Sequence, residues 1–416
     1  MRGTIDCVVI GAGQAGLGVS WNLRHRGIDH VVLERGEVGD TWRTQRWDSF
    51  RLNTPNWMNG LPGLPFGGDP DAFPAPEELT GFFERYVATF DLPVRTGVTV
   101  TAVDSVDDAF VIRVEGSEAG PITARSVVVA SGPMRRPKIP ALAVGVPPQV
   151  AQISAANYRN PAALAPGAVL VVGTAQSGCQ IAEDLLAAGR RVFLSTSSVV
   201  RSPRRHRGRD ITAWLSDAGF MDMRAADLAD PAMRRSPWPQ VSGLGPRGHS
   251  VGLQWLAGLG ATLVGRVRTM SERTIEFEDT VAAAIRAGDA GSAMLKGMID
   301  EIIARTGAGA PPAEPDPADE PCADPDALAG PTEVDLATAG ITSVVWCTGF
   351  DADYSWIHLP VLDSRGEPIH TEGISPVPGL AFVGLPWMRV RRSSIISGVE
   401  DDARFVADSL AEHFAA

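Results

Sequence analysis

The feature that most constrains this chain is a buried strand that runs straight into a glycine-rich turn and a helix, over residues 5–16 (IDCVVIGAGQAG). Gly11 predicts the tight turn, Gly13 leaves room for a pyrophosphate to approach the backbone, and Gly16 lets the helix pack closely on the strand. Dinucleotide phosphates would lie at the helix N-terminus, where free N–H groups and the helix dipole favour negative charge. The stretch therefore predicts a dinucleotide-binding unit.

A second strand supports this interpretation. The apolar run 31–33 ends in Glu34, roughly 20 residues after the first glycine, where a carboxylate would accept hydrogen bonds from a ribose. The alternative is a glycine turn that arose by chance. A chance turn would not be expected to come with a strand, a helix, a second strand and an acid at the spacing of a dinucleotide-binding unit.

The opening pattern occurs a second time. The apolar strand 168–172 runs into Gly173-Thr174-Ala175-Gln176-Ser177-Gly178 and then into a helix over 179–188, with Ala175 in place of the middle glycine. The following strand, 191–196, is followed by arginines, including Arg201 and Arg204, where an acid would be expected. Because a guanidinium forks onto phosphate oxygens, this pattern favours the 2′-phosphate of NADP over NAD. The alternative is that these arginines form a solvated basic surface or serve another purpose.

The rest of the chain alternates between helix and strand signals. Residues 306–333 are rich in Pro, Ala, Asp and Glu, which predicts a flexible acidic linker. We expect the sheet of the first domain to resume after it, at 341–350. The other predicted elements are a structured loop over 41–58, helices over 77–90, 251–259, 280–304 and from Gly398 onward, strands over 98–103, 110–114, 126–132 and 380–384, and two short strands within 261–277.

Composition excludes several classes of protein. The net charge of −12 argues against nucleic acid as a partner, because a phosphate backbone favours basic surfaces. The four cysteines form no CxxC pair and the seven histidines show no metal-ligand spacing. No apolar run is long enough to span a bilayer, and the nucleotide strand begins almost at the N-terminus, so we expect a cytoplasmic protein without membrane contact.

Together these motifs resemble the class B-type flavoprotein monooxygenases, the group that includes flavin-containing monooxygenases, Baeyer-Villiger monooxygenases and the plant auxin-forming enzymes. The matching pieces are the two glycine fingerprints, the spacing from Glu34 through Gly39 to Trp42, and the segments Ala130-Ser131-Gly132 and Cys347-Thr348-Gly349-Phe350. The resemblance covers nearly the whole chain.

The resemblance implies an α/β fold with two Rossmann-like dinucleotide-binding domains, the NADP domain being inserted into the FAD domain. The expected boundaries are 1–155 and 334–416 for FAD binding, 156–305 for NADP binding with a helical insertion, and 306–333 for the linker. The residues expected to bind FAD are Gly11, Gly13, Gln14, Ala15, Gly16, Glu34, Arg35, Thr41, Trp42, Gly349, Gly384 and Ser394. Those expected to bind NADPH are Gly173, Gln176, Ser177, Gly178, Arg201 and Arg204.

The resemblance also implies a reaction. NADPH would reduce FAD, O2 would add to the reduced flavin, and the resulting hydroperoxide would oxygenate a small organic substrate. Asn53, in Leu52-Asn53-Thr54-Pro55, is similar to an asparagine that lies beside the flavin in this family, and is the expected catalytic residue. The alternative for Asn53 is a plain turn residue before Thr-Pro.

One motif departs from the family. Its identifying Phe-x-Gly-x-x-x-His-x-x-x-Trp pattern should precede the second fingerprint, but Pro148, Val150, Ser154 and Tyr158 occupy the corresponding positions and the histidine is absent. The alternatives are therefore a flavin NAD(P)H oxidase or reductase, another non-oxygenating flavoenzyme, and, from a different class, a nucleotide-binding redox sensor or regulatory subunit. The substrate's identity stays open, and so does a homodimeric state.

Overall fold

The structure is a computed structural model that describes residues 4–117, 120–235 and 239–415. Its helices are, in chain order, α1 (Gln14–His25), α2 (Asp40–Thr44), α3 (Pro76–Phe90), α4 (Gln176–Ala187), α5 (Ile211–Asp217), α6 (Leu253–Gly258), α7 (Val281–Thr306), α8 (Leu336–Ala339) and α9 (Val399–Ala415). Its strands are β1 (Ile5–Ile10), β2 (His30–Leu33), β3 (Val94–Arg95), β4 (Val98–Val106), β5 (Ala109–Gly116), β6 (Ile122–Val129), β7 (Arg136–Pro137), β8 (Ala151–Ser154), β9 (Ala168–Val172), β10 (Val192–Ser195), β11 (Arg205–His206), β12 (Arg209–Asp210), β13 (Thr262–Val264), β14 (Val267–Met270), β15 (Thr274–Phe277), β16 (Glu333–Asp335), β17 (Ile341–Trp346), β18 (Phe350–Asp351) and β19 (Leu380–Phe382).

The first domain is built on a seven-stranded sheet in the order β3-β2-β1-β6-β5-β4, with β19 also paired to β6. The strands β2, β1, β6 and β19 run parallel, whereas β4 and β5 form the antiparallel hairpin that the alternating pattern predicted. α9 returns to pack on α1, where a Cβ at Gly18 would lie 2.3 Å from Val399 Cγ1. The C-terminal helix therefore closes the domain that the first strand opens.

The second domain is built on a parallel five-stranded sheet in the order β13-β10-β9-β17-β8. β17 lies between β9 and β8, so the strand at 341–346 belongs to this sheet and our prediction that it resumes the first sheet was wrong. β8 (Ala151–Ser154) also belongs to the second sheet, so the predicted boundaries at 155 and 334 were wrong as well. Among the strands of the described residues, β19 returns to the first sheet after the insertion.

The chain crosses between the domains at two places that pair with each other. β7, on the outgoing crossing, forms an antiparallel ribbon with β18, on the returning one. The Lys138 N–H donates to the Gly349 carbonyl at 2.9 Å, next to this ribbon. The insertion of one dinucleotide domain into another is confirmed, with its limits at the ribbon.

The acidic stretch after α7 is held against the second domain. Asp319 is 1% exposed, Cys322 packs against the main core, and β16 pairs with β15. The prediction of a flexible linker over 306–333 was therefore wrong. No helix in the described ranges is both long enough and apolar enough to cross a membrane.

Candidate dinucleotide and substrate site

The first fingerprint, Gly11–Gly16, has the predicted geometry. Gly11 has φ +108°, and a Cβ there would lie 2.7 Å from the Ala130 carbonyl oxygen. A Cβ at Gly16 would lie only 1.8 Å from the Gly11 carbonyl oxygen, because α1 begins directly against the turn. At Gly13, by contrast, a Cβ would meet no atom within 4 Å. The turn thus leaves an open space at the N-terminus of α1 that a side chain would fill.

Glu34 ends β2 beside this space. Its Oε2 accepts the Ala12 N–H at 2.8 Å and its Oε1 accepts the Gly36 N–H at 3.1 Å. These two hydrogen bonds hold the buried carboxylate in one position. Trp42 Nε1 donates to Gln14 Oε1 at 3.2 Å, which ties α2 to the start of α1. These contacts shape a polar end suited to a ribose and a diphosphate.

The second fingerprint, Gly173–Gly178, repeats this geometry. Gly173 has φ +105°, and a Cβ at Gly178 would lie 1.8 Å from the Gly173 carbonyl oxygen. The Gln176 side chain is already occupied, because its Oε1 accepts the N–H groups of Val241 (2.9 Å) and Ser242 (3.2 Å). Gln176 can therefore offer a ligand its backbone, while its side chain holds the neighbouring loop.

One cavity of about 680 Å³ joins the two fingerprints. Most of the predicted site residues line it, namely Gly11, Gly13, Gln14, Ala15, Glu34, Arg35, Thr41, Trp42, Asn53, Gln176, Ser177, Gly349, Gly384 and Ser394. Gly16, Gly173 and Gly178 are not on its wall but shape the turns behind it.

Arg201 and Arg204 are not placed to bind a phosphate. Both are almost fully buried, at 1% and 0% exposure, and neither lines the cavity. Arg201 Nε lies 2.6 Å from Asp319 Oδ1 and its Nη2 lies 2.8 Å from Asp289 Oδ1. Arg204 pairs with Asp210. Our assignment of these two arginines to the 2′-phosphate was wrong, because both are buried and paired with carboxylates away from the cavity.

Asn53 lies on the cavity wall with an unused hydrogen-bond acceptor. Its side-chain Oδ1 is buried and accepts no hydrogen bond from the described residues. A buried polar atom without a partner costs free energy, and a ligand group that donates to it would recover that cost.

Several lining residues had no signal in the sequence. Thr212, Met221 and Val241 reach the cavity from the second domain. Arg46 also lines it, with its guanidinium carbon 4.7 Å from the Trp42 ring centre and 5.4 Å from that of Phe50. Burial lowers the pKa of Arg46 to about 10, so its side chain stays charged at neutral pH. Folding alone brings these residues together, since no short spacing links them.

The cysteines offer no dithiol centre. All four are free, and Cys347, which lines the cavity, has its pKa raised to about 12 by burial. Burial likewise raises the pKa of the Cys179 thiol. Protonated thiols are poor nucleophiles, so redox chemistry here would need a bound cofactor.

Comparison with known proteins agrees with this geometry. The model of the pyridine nucleotide-disulphide oxidoreductase family matches residues 8–218. An uncharacterised CzcO-like oxidoreductase of Geobacillus kaustophilus is 30% identical over 99% of this chain and all of its own length. The YUCCA1 indole-3-pyruvate monooxygenase of Oryza sativa subsp. japonica is 31% identical over 47% of each chain.

A solved structure shares the whole fold. The flavin-containing monooxygenase from Stenotrophomonas maltophilia superposes with a TM-score of 0.66 at 19% identity, covering 99% of both chains. The chain belongs to the pyridine nucleotide-disulphide oxidoreductase family, and over about half of its length it is similar to a flavin monooxygenase of the group that its motifs resemble. It is thus an oxidoreductase with the predicted pair of Rossmann-like domains.

Proposed function

We propose that this protein is an FAD-dependent monooxygenase that uses NADPH and O2 to oxygenate a small organic substrate. The observation that carries the proposal is the cavity itself, because it joins both fingerprints and has Asn53, with its buried and unpaired Oδ1, on its wall. A binding protein for one nucleotide would not need two fingerprints on one cavity. An enzyme that transfers hydride from NADPH to FAD, by contrast, must hold the two coenzymes in contact.

The residues present fit FAD at the first fingerprint. The open space at Gly13 would receive the diphosphate, and Glu34 would accept hydrogen bonds from the ribose hydroxyls. Gly349, Gly384 and Ser394 would line the flavin end. When bound, FAD supplies the chemistry of hydride acceptance and oxygen activation, and the chain supplies orientation and exclusion of water.

The second fingerprint would hold NADPH through the backbone at Gln176 and Ser177, at the start of α4. Ala175 replaces the middle glycine, and its methyl group faces the same cavity. Arg201 and Arg204 are buried in ion pairs and do not support binding of the 2′-phosphate. The proposal of NADPH therefore rests on the family motifs.

Asn53 is the proposed catalytic residue. Its side-chain amide would lie beside bound FAD, because Asn53 lies on the cavity wall, and would offer hydrogen bonds to the reacting groups there. The surrounding wall is largely apolar, with Met58, Met221, Val241 and Ile395. Such a wall suits a small substrate with an apolar body.

A non-oxygenating NAD(P)H oxidase is the second candidate. It is favoured by the segment that lacks the family histidine, where Tyr158 is buried and its hydroxyl donates to Asp184 Oδ2 at 2.6 Å. Of the four residues in that pattern, Pro148, Val150, Ser154 and Tyr158, none lines the cavity. These four positions therefore supply packing, although Ala155, between them, lines the cavity.

The stoichiometry of the reaction distinguishes the two candidates. The purified flavoprotein would be given NADPH in air with separate amine, thioether, ketone and 2-oxo acid probes. A monooxygenase releases less peroxide per NADPH with an accepted probe, and isotopically labelled oxygen enters the product. An oxidase releases one peroxide per NADPH with every probe, and that result would reject the proposal.

A further inference from the structure

Asn53 is held from across the domain boundary. Arg204, in the second domain, donates from Nη1 to the Asn53 backbone carbonyl at 3.0 Å. The Arg204 guanidinium stacks 4.6 Å from the centre of the Phe73 ring and is completely buried. Burial and stacking on the Phe73 ring hold the guanidinium in one orientation. Its hydrogen bond therefore fixes the position of the Asn53 backbone carbonyl.

The other arm of the same guanidinium reaches the wall of the cavity through Asp210. Arg204 Nη2 donates to Asp210 Oδ1, and the same oxygen accepts the Thr212 N–H at 2.9 Å, where Asp210 caps α5. The Ile211 N–H also donates to the Arg204 carbonyl at 3.0 Å. One buried residue thus spans two parts of the cavity wall, Asn53 from the first domain and Thr212 from the second.

This bridge has a functional meaning if Asn53 acts on the flavin. We propose that Arg204 is a positioning residue, which sets the place of the Asn53 amide relative to bound FAD and so would control how fast the reduced flavin is reoxidised by oxygen. This inference rests on the proposed function. Arg204 does not line the cavity, so its effect is transmitted through the Asn53 carbonyl and the α5 cap.

The chain provides a matched control. Arg201 is also buried and ion-paired, and it lies on the same stretch of the second domain, but its partners are Asp289 and Asp319. Neither of those carboxylates lines the cavity. Arg201→Lys should therefore report the cost of weakening a buried ion pair without moving Asn53.

The variant that tests the bridge is Arg204→Lys. A lysine keeps the charge opposite Asp210, but its single ammonium cannot reproduce the planar fork that spans Asp210 and Asn53. Because the buried Asp210 carboxylate would still have a positively charged partner, we expect the Arg204→Lys variant to fold and to retain FAD. A thermal melt and the flavin absorbance of the purified protein check both points.

The functional readout is the lag between mixing NADPH-reduced enzyme with oxygen and the return of the oxidised flavin spectrum. We expect Arg204→Lys and Asn53→Ala each to shorten this lag by about tenfold, and Arg201→Lys to leave it unchanged. In the Asn53→Ala background, Arg204→Lys should have no further effect, since residues that act through one another are not additive. The anaerobic rate of flavin reduction by NADPH should be the same in Arg204→Lys and Arg201→Lys as in the wild type.

The outcomes separate this inference from the function on which it rests. If Asn53→Ala shortens the lag but Arg204→Lys does not, or if the effect of Arg204→Lys persists without Asn53, the positioning role is overturned. If the lag is equally short for Arg201→Lys and Arg204→Lys, the effect is one of stability and the positioning role is again overturned. If the wild-type protein shows no lag, or Asn53→Ala does not change it, the assignment of Asn53 fails first.

Discussion

At the residue scale, Gly13 separates the binding of FAD from the stability of the fold. We expect Gly13→Val to lose FAD while keeping the melting temperature of the flavin-free protein, because its φ of −85° suits any residue and a Cβ there meets nothing. Gly16→Val is the matched control and should unfold the domain, since its Cβ would lie 1.8 Å from the Gly11 carbonyl oxygen. Flavin absorbance per protein and a thermal melt measure the two effects. A Gly13→Val protein that purifies yellow would show that the diphosphate does not bind at this turn.

Asp402 gives the fold a pH dependence at the start of α9. It is fully buried with its Oδ1 3.7 Å from Arg389, and burial raises its pKa from 3.8 to about 6, only partly offset by Ser393 and Arg389. Because the folded-state pKa is the higher one, stability is lost as the pH rises between these values, by up to about 3 kcal/mol.

Asp402→Asn should remove that loss. We expect the variant to match the wild type near pH 4 and to be more stable by up to about 3 kcal/mol at pH 7, measured by denaturant unfolding at both values. Asp401→Asn is the control, because Asp401 is partly exposed and pairs with Arg392 and Arg404. An equal gain at both pH values would mean that ionisation of Asp402 is not the cause.

At the element scale, the buried carboxylate of Asp319 is one of the contacts that hold the acidic segment after α7. Asp319 meets Arg201, Lys296 and Ser292, all of them on the second domain. Asp319→Ala would leave the Arg201 charge with only Asp289, and we expect a loss of about 3 kcal/mol or more in unfolding free energy.

Limited proteolysis tests the same prediction. Cleavage within 307–318 should be much faster in Asp319→Ala than in the wild type, because the segment loses its anchor. Asp326→Ala is the control, since Asp326 pairs with Arg286 at an exposed site. Unchanged cleavage in Asp319→Ala would show that other contacts hold the segment.

The same elements explain what the sequence could predict. The two fingerprints and the helices α3, α7 and α9 were predicted correctly, because each depends on a local pattern of glycines or apolar residues. The sheet to which β17 belongs was predicted wrongly, because a buried strand has the same pattern in either sheet. The pairing of Arg201 with Asp319 had no local signal at all, since the partners are far apart in sequence and the acid lies in a stretch with the composition of a linker.

At the scale of the whole molecule, the nested domains meet at one cavity. The crossing segments pair as the β7–β18 ribbon, and Arg204 bridges the domains at Asn53. Both connections keep the second fingerprint facing the first. The family motifs predicted much of the cavity wall. The inserted domain adds Thr212, Met221 and Val241 to this wall, and the motifs did not predict these residues.

The most direct test of the proposed function is an anaerobic stopped-flow experiment on the FAD-loaded protein. NADPH is added first and oxygenated buffer second, while the flavin spectrum is followed. We predict fast bleaching by NADPH, and then a measurable delay before the oxidised spectrum returns. Immediate reoxidation with full release of peroxide would support the oxidase, and a flavin that NADPH does not bleach would contradict the account of two coenzymes meeting in one cavity.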